Sequence, residues 1–153
     1  MDISNKKVLL SISCLVFFMV LALGSAGDNS IIPDEKVTVT VLNVERVNQV
    51  GSRPFVITPN EGNNFAILEI EIENTGDSDH HANPNNISVI CQNGYSYSYS
   101  TATHALDRKE FDAVDVRAGN KAKGSIVFEV PSNSILQELI YDPLFGDAIH
   151  VDV

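Results

Sequence analysis

The chain of 153 residues has no tryptophan, two cysteines, and ten basic side chains against 20 acidic ones. A net charge of −10 argues against nucleic-acid binding, which needs clustered Lys and Arg over the phosphates. It argues equally against adhesion to an anionic membrane through a basic face. Cys14 lies inside an apolar run near the N-terminus, so Cys91 is the sole cysteine of the remaining chain and an intramolecular disulfide is excluded there. Long helical periodicity and internal repeats are missing. So are Gly-x-Ser-x-Gly, His-Glu-x-x-His, Cys-x-x-Cys and a phosphate-cradling glycine loop, and with them the sequence support for catalysis. What is present, 44% apolar and 20% charged residues over this length, fits one globular domain.

The N-terminus reads as an address. Lys6 and Lys7 precede sixteen uncharged residues, 8–23, and then the small residues Gly24, Ser25 and Ala26. A basic region, an apolar run and a small-residue exit make a secretory signal. The alternative is an uncleaved anchor, because 8–26 just reaches the roughly 17–25 residues a spanning helix needs. Cleaving at Cys14, as a lipoprotein signal would, leaves an apolar region shorter than the ~7–15 residues such signals use. Residues 1–26 are therefore assigned as signal or anchor, 27–35 as a tether and 36–153 as the domain. Loss of 1–26 leaves eight basic against 19 acidic side chains, a net charge of −11.

Within 36–153, period-2 patterns dominate. Val37, Val39 and Val41 share one parity and Leu42 and Val44 the other, which predicts a bulge near Val41 and Leu42. In 65–74, Ala66, Leu68, Ile70 and Ile72 alternate with Glu69, Glu71 and Glu73, a half-buried strand with an acidic outer face. Ile87, Val89 and Cys91 form another inward set, making Cys91 a buried, inert thiol. Gln92-Asn93-Gly94 predicts a hairpin turn into the Tyr/Ser alternation 95–100. Further strands are expected around Val114 and Val116, over 126–130 until Pro131 stops the run, over 139–141 and over 149–153. Only 103–111 and 134–139 have room for a helical turn. About eight strands with turns between them predict an all-β sandwich or barrel.

Two passages carry a family resemblance. One is Phe65-Ala66-Ile67-Leu68-Glu69-Ile70-Glu71-Ile72-Glu73-Asn74-Thr75-Gly76-Asp77. The other is Val116-Arg117-Ala118-Gly119, then Gly124-Ser125-Ile126-Val127-Phe128-Glu129-Val130-Pro131, with Tyr141-Asp142-Pro143 after it. Together they resemble a widespread prokaryotic family of exported domains of unknown function, similar to the mycobacterial secreted immunoprotective antigen. The resemblance spans 36–153 and implies an immunoglobulin-like antiparallel β-sandwich with no catalytic residues to carry over. Members are sometimes mislabelled telomeric repeat-binding factors, a label that charge and compartment reject here. The motif residues have folding roles: Gly76 and Gly119 allow positive φ at strand ends, and Asn74 can bond its own backbone.

Several candidate sites stand beside plainer readings. Asp77, Asp79, His80 and His81 are the densest set of potential metal ligands, but neighbours in an extended segment point opposite ways, so a solvated polar loop is the simpler account. Tyr95, Tyr97 and Tyr99 share parity and would form an aromatic stripe suited to sugar or protein contacts; the plainer reading packs them inward. The Glu69, Glu71 and Glu73 face is a further candidate surface if exposed. His104, Asp107 and Glu110 are acid–base types at loose spacing. Asn86-Ile87-Ser88 is a glycosylation sequon. The resulting expectation is an exported, non-catalytic binding module, without a cofactor, whose partner is a cell-envelope protein or glycan. A metal- or small-ligand-binding protein using 77–81 is the alternative, and an exported hydrolase comes last.

Overall fold

The computed structural model describes residues 36–153; the signal or anchor and the tether lie outside the described residues. Nine strands follow one another: β1 Val37–Val47, β2 Asn63–Asn74, β3 His80–Ala82, β4 Ile87–Cys91, β5 Ser96–Ser98, β6 Val114–Val116, β7 Lys121–Pro131, β8 Leu136–Tyr141 and β9 Ile149–Asp152. Two 3-10 turns, Pro84–Asn86 and Thr101–Ala105, complete the regular structure.

The strands form two main sheets, ordered β1-β2-β7 and β5-β4-β8-β9, and a ribbon, β3-β6. All strand pairings are antiparallel. By chain order and partner, β1, β2 and β7 take the places of strands A, B and E of an immunoglobulin-type sandwich. β5, β4, β8 and β9 take those of C′, C, F and G. The fold is an immunoglobulin-like β-sandwich, as the family resemblance implies; the strand pattern alone predicts a sandwich or a barrel.

The register explains the core. Ala66 faces Phe128 and Leu68 faces Ile126 across β2 and β7. These side chains, with Ile70, Ile72 and Val130, are fully buried against Ile87, Val89, Cys91, Leu139 and Tyr141 of the second sheet. Each large aliphatic or aromatic side chain so removed from water contributes ~1.5–3 kcal/mol, so this layer is the main stabilising element. Cys91 is buried as expected. The β1 register shifts between Val41 and Asn43, which puts the expected bulge at Leu42.

Four local expectations are corrected. His80, His81 and Ala82 are not loop but strand β3, pairing with β6, so the strands number nine rather than about eight. Residues 134–139 hold no helical turn; Leu136 already begins β8. The outer face of β2 is not uniformly acidic, because Phe65 and Ile67 share it and are buried with Val127, Val50 and Ala102 in a second small core. The Tyr stripe is broken: β5 ends at Ser98, and Tyr99 bridges to Phe128 in the opposite sheet. Tyr97 and Tyr99 pack partly buried against the main core and only Tyr95 is exposed.

Candidate functional site

The sequence-predicted residues disperse over the sandwich. Alternation along β3 turns His80 inward and His81 outward. His80 is buried, its Nε2 sharing a 2.5 Å hydrogen bond with the Tyr141 hydroxyl, and its ring meets the tyrosine edge-on at 5.8 Å between centroids. His81 Nδ1 lies 2.6 Å from Asp115 Oδ1, its register partner on β6. Asp77 and Asp79 are exposed on the preceding turn. The four do not converge, and among the described residues no three His, Cys, Asp or Glu side chains are placed to hold one ion.

Asp79, His80 and His81 instead line a cleft of about 350 Å³ with Asn83 and Asn86, roofed by Leu144 and Phe145. Asn86, the sequon asparagine, ends the 3-10 turn half-buried, with its carbonyl accepting from the Asp142 amide at 2.8 Å. His104 and Glu110 do meet, Nδ1 to Oε2 at 2.8 Å, but on an open surface. Asp107 turns away from them, 3.4 Å from the Ser52 hydroxyl.

The Glu69, Glu71 and Glu73 face is not a free acidic surface. Lys121 bridges Glu71 at 2.8 Å and Glu73 at 3.0 Å, and Lys123 reaches Glu69 at 3.0 Å. The Glu71 and Glu73 carboxylates hold the Lys121 ammonium above its ordinary range. Such solvent-exposed pairs add little stability, but two lysines against three glutamates cut the charge a cationic partner would need from −3 to −1.

A built surface lies at the end of the sandwich where β1 runs into β2. Three loops are clamped together there. The Arg46 guanidinium donates to Asn64 Oδ1 at 3.0 Å and to the Ser134 carbonyl at 2.6 Å. The Ser132 amide donates to the Gly62 carbonyl at 2.9 Å, and the Gln92 amide to the Ile135 carbonyl at 2.8 Å. One carboxylate oxygen of Glu129 accepts from the Asn60 amide and from the Asn60 and Asn63 side chains, all at 2.8 Å. These bonds, the Asn63 side chain first, hold its carboxyl below the ordinary carboxylate range against the opposing effect of burial.

On this clamped end, Gln92, Asn93, Pro131, Asn133, Ser134 and Ile135 line an open groove of about 440 Å³. Ile135 is 61% exposed, and Tyr95, on the same turn as Asn93, is 68% exposed. Phe55, 80% exposed, lies with Val56 and Ile57 apart from the groove, on a hairpin of the β1–β2 loop that packs against Ala105 and bonds Asp107 through Ser52. Amide side chains beside exposed apolar ones, on a backbone fixed by charge-assisted hydrogen bonds, suit recognition of a partner. Sequence reasoning singled out only Tyr95 here. The missed signal is a short apolar run without alternation beside a turn former: Pro54-Phe55-Val56-Ile57, and Pro143-Leu144-Phe145-Gly146 at the other end.

The model of a domain of unknown function, DUF4352, matches residues 28–150. The chain belongs to this family. The match takes in 28–35, all but the first of the residues 27–35 read as a tether. No curated protein matches the chain. Among solved structures, ycdA of Bacillus subtilis is similar at a TM-score of 0.58 and 14% identity, over 78% of this chain and 37% of that one. The chain thus spans little more than a third of ycdA. The yjhA protein of Bacillus subtilis gives a TM-score of 0.56 at 17% identity, over 78% of this chain and 92% of that one. The secreted protein MPT63 of Mycobacterium tuberculosis gives 0.57 at 10% identity, over 76% and 82%. At these identities the likeness concerns the fold, and it bears out the family resemblance read from 65–77 and 116–131.

Proposed function

We propose that this DUF4352 chain is an exported, non-catalytic binding module that engages a protein partner through the clamped loop end of its sandwich. Export is supported by the basic, apolar and small-residue order of 1–26 and by the secreted state of MPT63, a protein of the same fold. The observation that carries the binding reading is the rigid groove of Gln92, Asn93, Asn133 and Ser134 with Tyr95 and Ile135 exposed beside it. Amides can satisfy the main chain of an extended segment, while a tyrosine ring and an isoleucine supply the apolar anchors that dominate such interfaces. The acid–base candidates support a non-catalytic role, since His104 and Glu110 sit on open surface and Asp107 faces elsewhere.

The test is capture from cell-envelope extract by the wild-type chain and by Tyr95→Ala, Ile135→Ser and Leu144→Ser variants. A partner that binds tenfold or more weakly to the first two, and unchanged to the third, supports the reading; tenfold corresponds to ~1.4 kcal/mol. Capture that all three variants leave intact contradicts it. A glycan that raises the melting temperature of the wild-type chain and not of Tyr95→Ala would make the partner a sugar.

A further inference from the structure

We infer that Leu144 and Phe145 form a membrane-facing tip, resting on the bilayer that holds the chain's own N-terminal apolar segment. The inference rests on the export reading above and takes the alternative in which residues 8–26 are retained as an anchor. Leu144 is 83% exposed and Phe145 69%, side by side between Pro143 and Gly146 on the loop after β8. Two adjacent large apolar side chains this open ask for a cover.

The chain's own path says which cover is nearest. Phe145 lines a cavity of about 350 Å³ together with Lys36 and Val37, the residues at which the chain enters the domain. The tip and the entry point therefore occupy the same end of the sandwich. Between the anchor and Lys36 lie nine residues, 27–35, which span at most ~30 Å when fully extended. A bilayer holding 8–26 is thus kept within that distance of this end. The opposite end, with Phe55, Tyr95 and Ile135, stands farther off by the length of β1, eleven residues or ~35 Å.

Charge decides how this contact works. Asp142 and Asp147 flank the tip, Lys36 is near it, and the chain carries a net charge of −10, so its net charge does not draw it to an anionic surface. The apolar pair is a weak membrane signal by itself. It becomes effective as a second signal beside a tether that raises its local concentration. The result is an oriented domain, with its clamped groove turned away from the membrane and toward the partner proposed above.

The absence of tryptophan gives a clean test. The full chain carrying Phe145→Trp, or Phe55→Trp as the control, is reconstituted into phosphatidylcholine vesicles with and without brominated acyl chains. The expected result is a blue-shifted emission for Phe145→Trp that brominated lipid quenches, and an unshifted, unquenched emission for Phe55→Trp. Adding Leu144→Ser to the Phe145→Trp chain should reduce the quenching. A chain that floats with the vesicles but shows no quenching at position 145, or equal quenching at 55, overturns the inference and leaves the binding reading intact. A chain that does not float overturns the anchor and the inference with it. Should Phe145→Trp fail to fold, Leu144→Trp carries the same reporter on the same tip.

Discussion

Gly124 is the position at which one methyl group should do the most damage. It lies in β7 where residues 109–111 cross the outer edge of that strand. A Cβ built on Gly124 would sit 2.5 Å from the Glu110 carbonyl oxygen and 2.6 Å from Phe111 Cα, both backbone atoms that no rotamer change can move aside. Relief requires lifting 109–111 off β7. That breaks the Phe111 amide bond to the Ser125 carbonyl, 2.8 Å, and the Ser125 amide bond to the Lys109 carbonyl, 2.9 Å. Two main-chain bonds at ~1 kcal/mol each, with ~1–3 kcal/mol for overpacking, put Gly124→Ala at ~3–5 kcal/mol. That is a large share of a domain's ~5–15 kcal/mol and lowers the melting temperature by ~12–20 °C. Gly119→Ala is the control, since Gly119 has φ +74° and open space around it, and should cost only ~1–2 kcal/mol. Urea unfolding of both variants, with hydrogen exchange at the Phe111 amide, checks the argument. A Gly124→Ala protein as stable as Gly119→Ala, with Phe111 still protected, refutes it.

Three further outcomes are expected. Asn74 is buried, its side chain donating to the Ser78 and Val116 carbonyls at 2.7 Å and accepting from the Gly76 amide at 3.0 Å; Asn74→Ala should lose ~2–4 kcal/mol in urea unfolding through stranded buried partners. Tyr141→Phe deletes the hydroxyl bound to His80 Nε2 and should lose ~1–2 kcal/mol by the same assay. The Glu129 carboxyl is held below its ordinary value of 4.5, so its contribution is fully present above that pH and is lost as pH falls through the lower folded value. Glu129→Gln should therefore be less stable than wild type at neutral pH, with the gap closing in acid.

How much of this was legible in the sequence depends on what each residue's neighbours do. The inward sets of β2, β4 and β7 were legible, because one-residue alternation of Ile, Leu and Val against Glu or Ser fixes the buried face. The bulge at Leu42 and the turn at Gly94, φ +80°, were legible from a parity change and from an Asn-Gly pair. The second core was hidden because Phe65 and Ile67 share their parity with three glutamates, and only the loop that covers them tells the two halves apart. Strand β3 was hidden because three residues are too few for periodicity and two are histidines. The Tyr stripe failed because a chain crossing between sheets at Tyr99 leaves no local mark. At the candidate site, Tyr95 was legible as an aromatic, whereas the groove beside it comes from loops 62, 92 and 134, brought together by Arg46 and by main-chain bonds far apart in sequence.

The central claim is that partners meet the clamped loop end, and position-specific photo-crosslinking in the native envelope tests it most directly. A benzophenone side chain is placed at Tyr95 or Ile135, both exposed at that end, and at His104, outside the groove. The account predicts one crosslinked product shared by Tyr95 and Ile135 and absent from His104. A product captured from His104 and from neither Tyr95 nor Ile135 would contradict it.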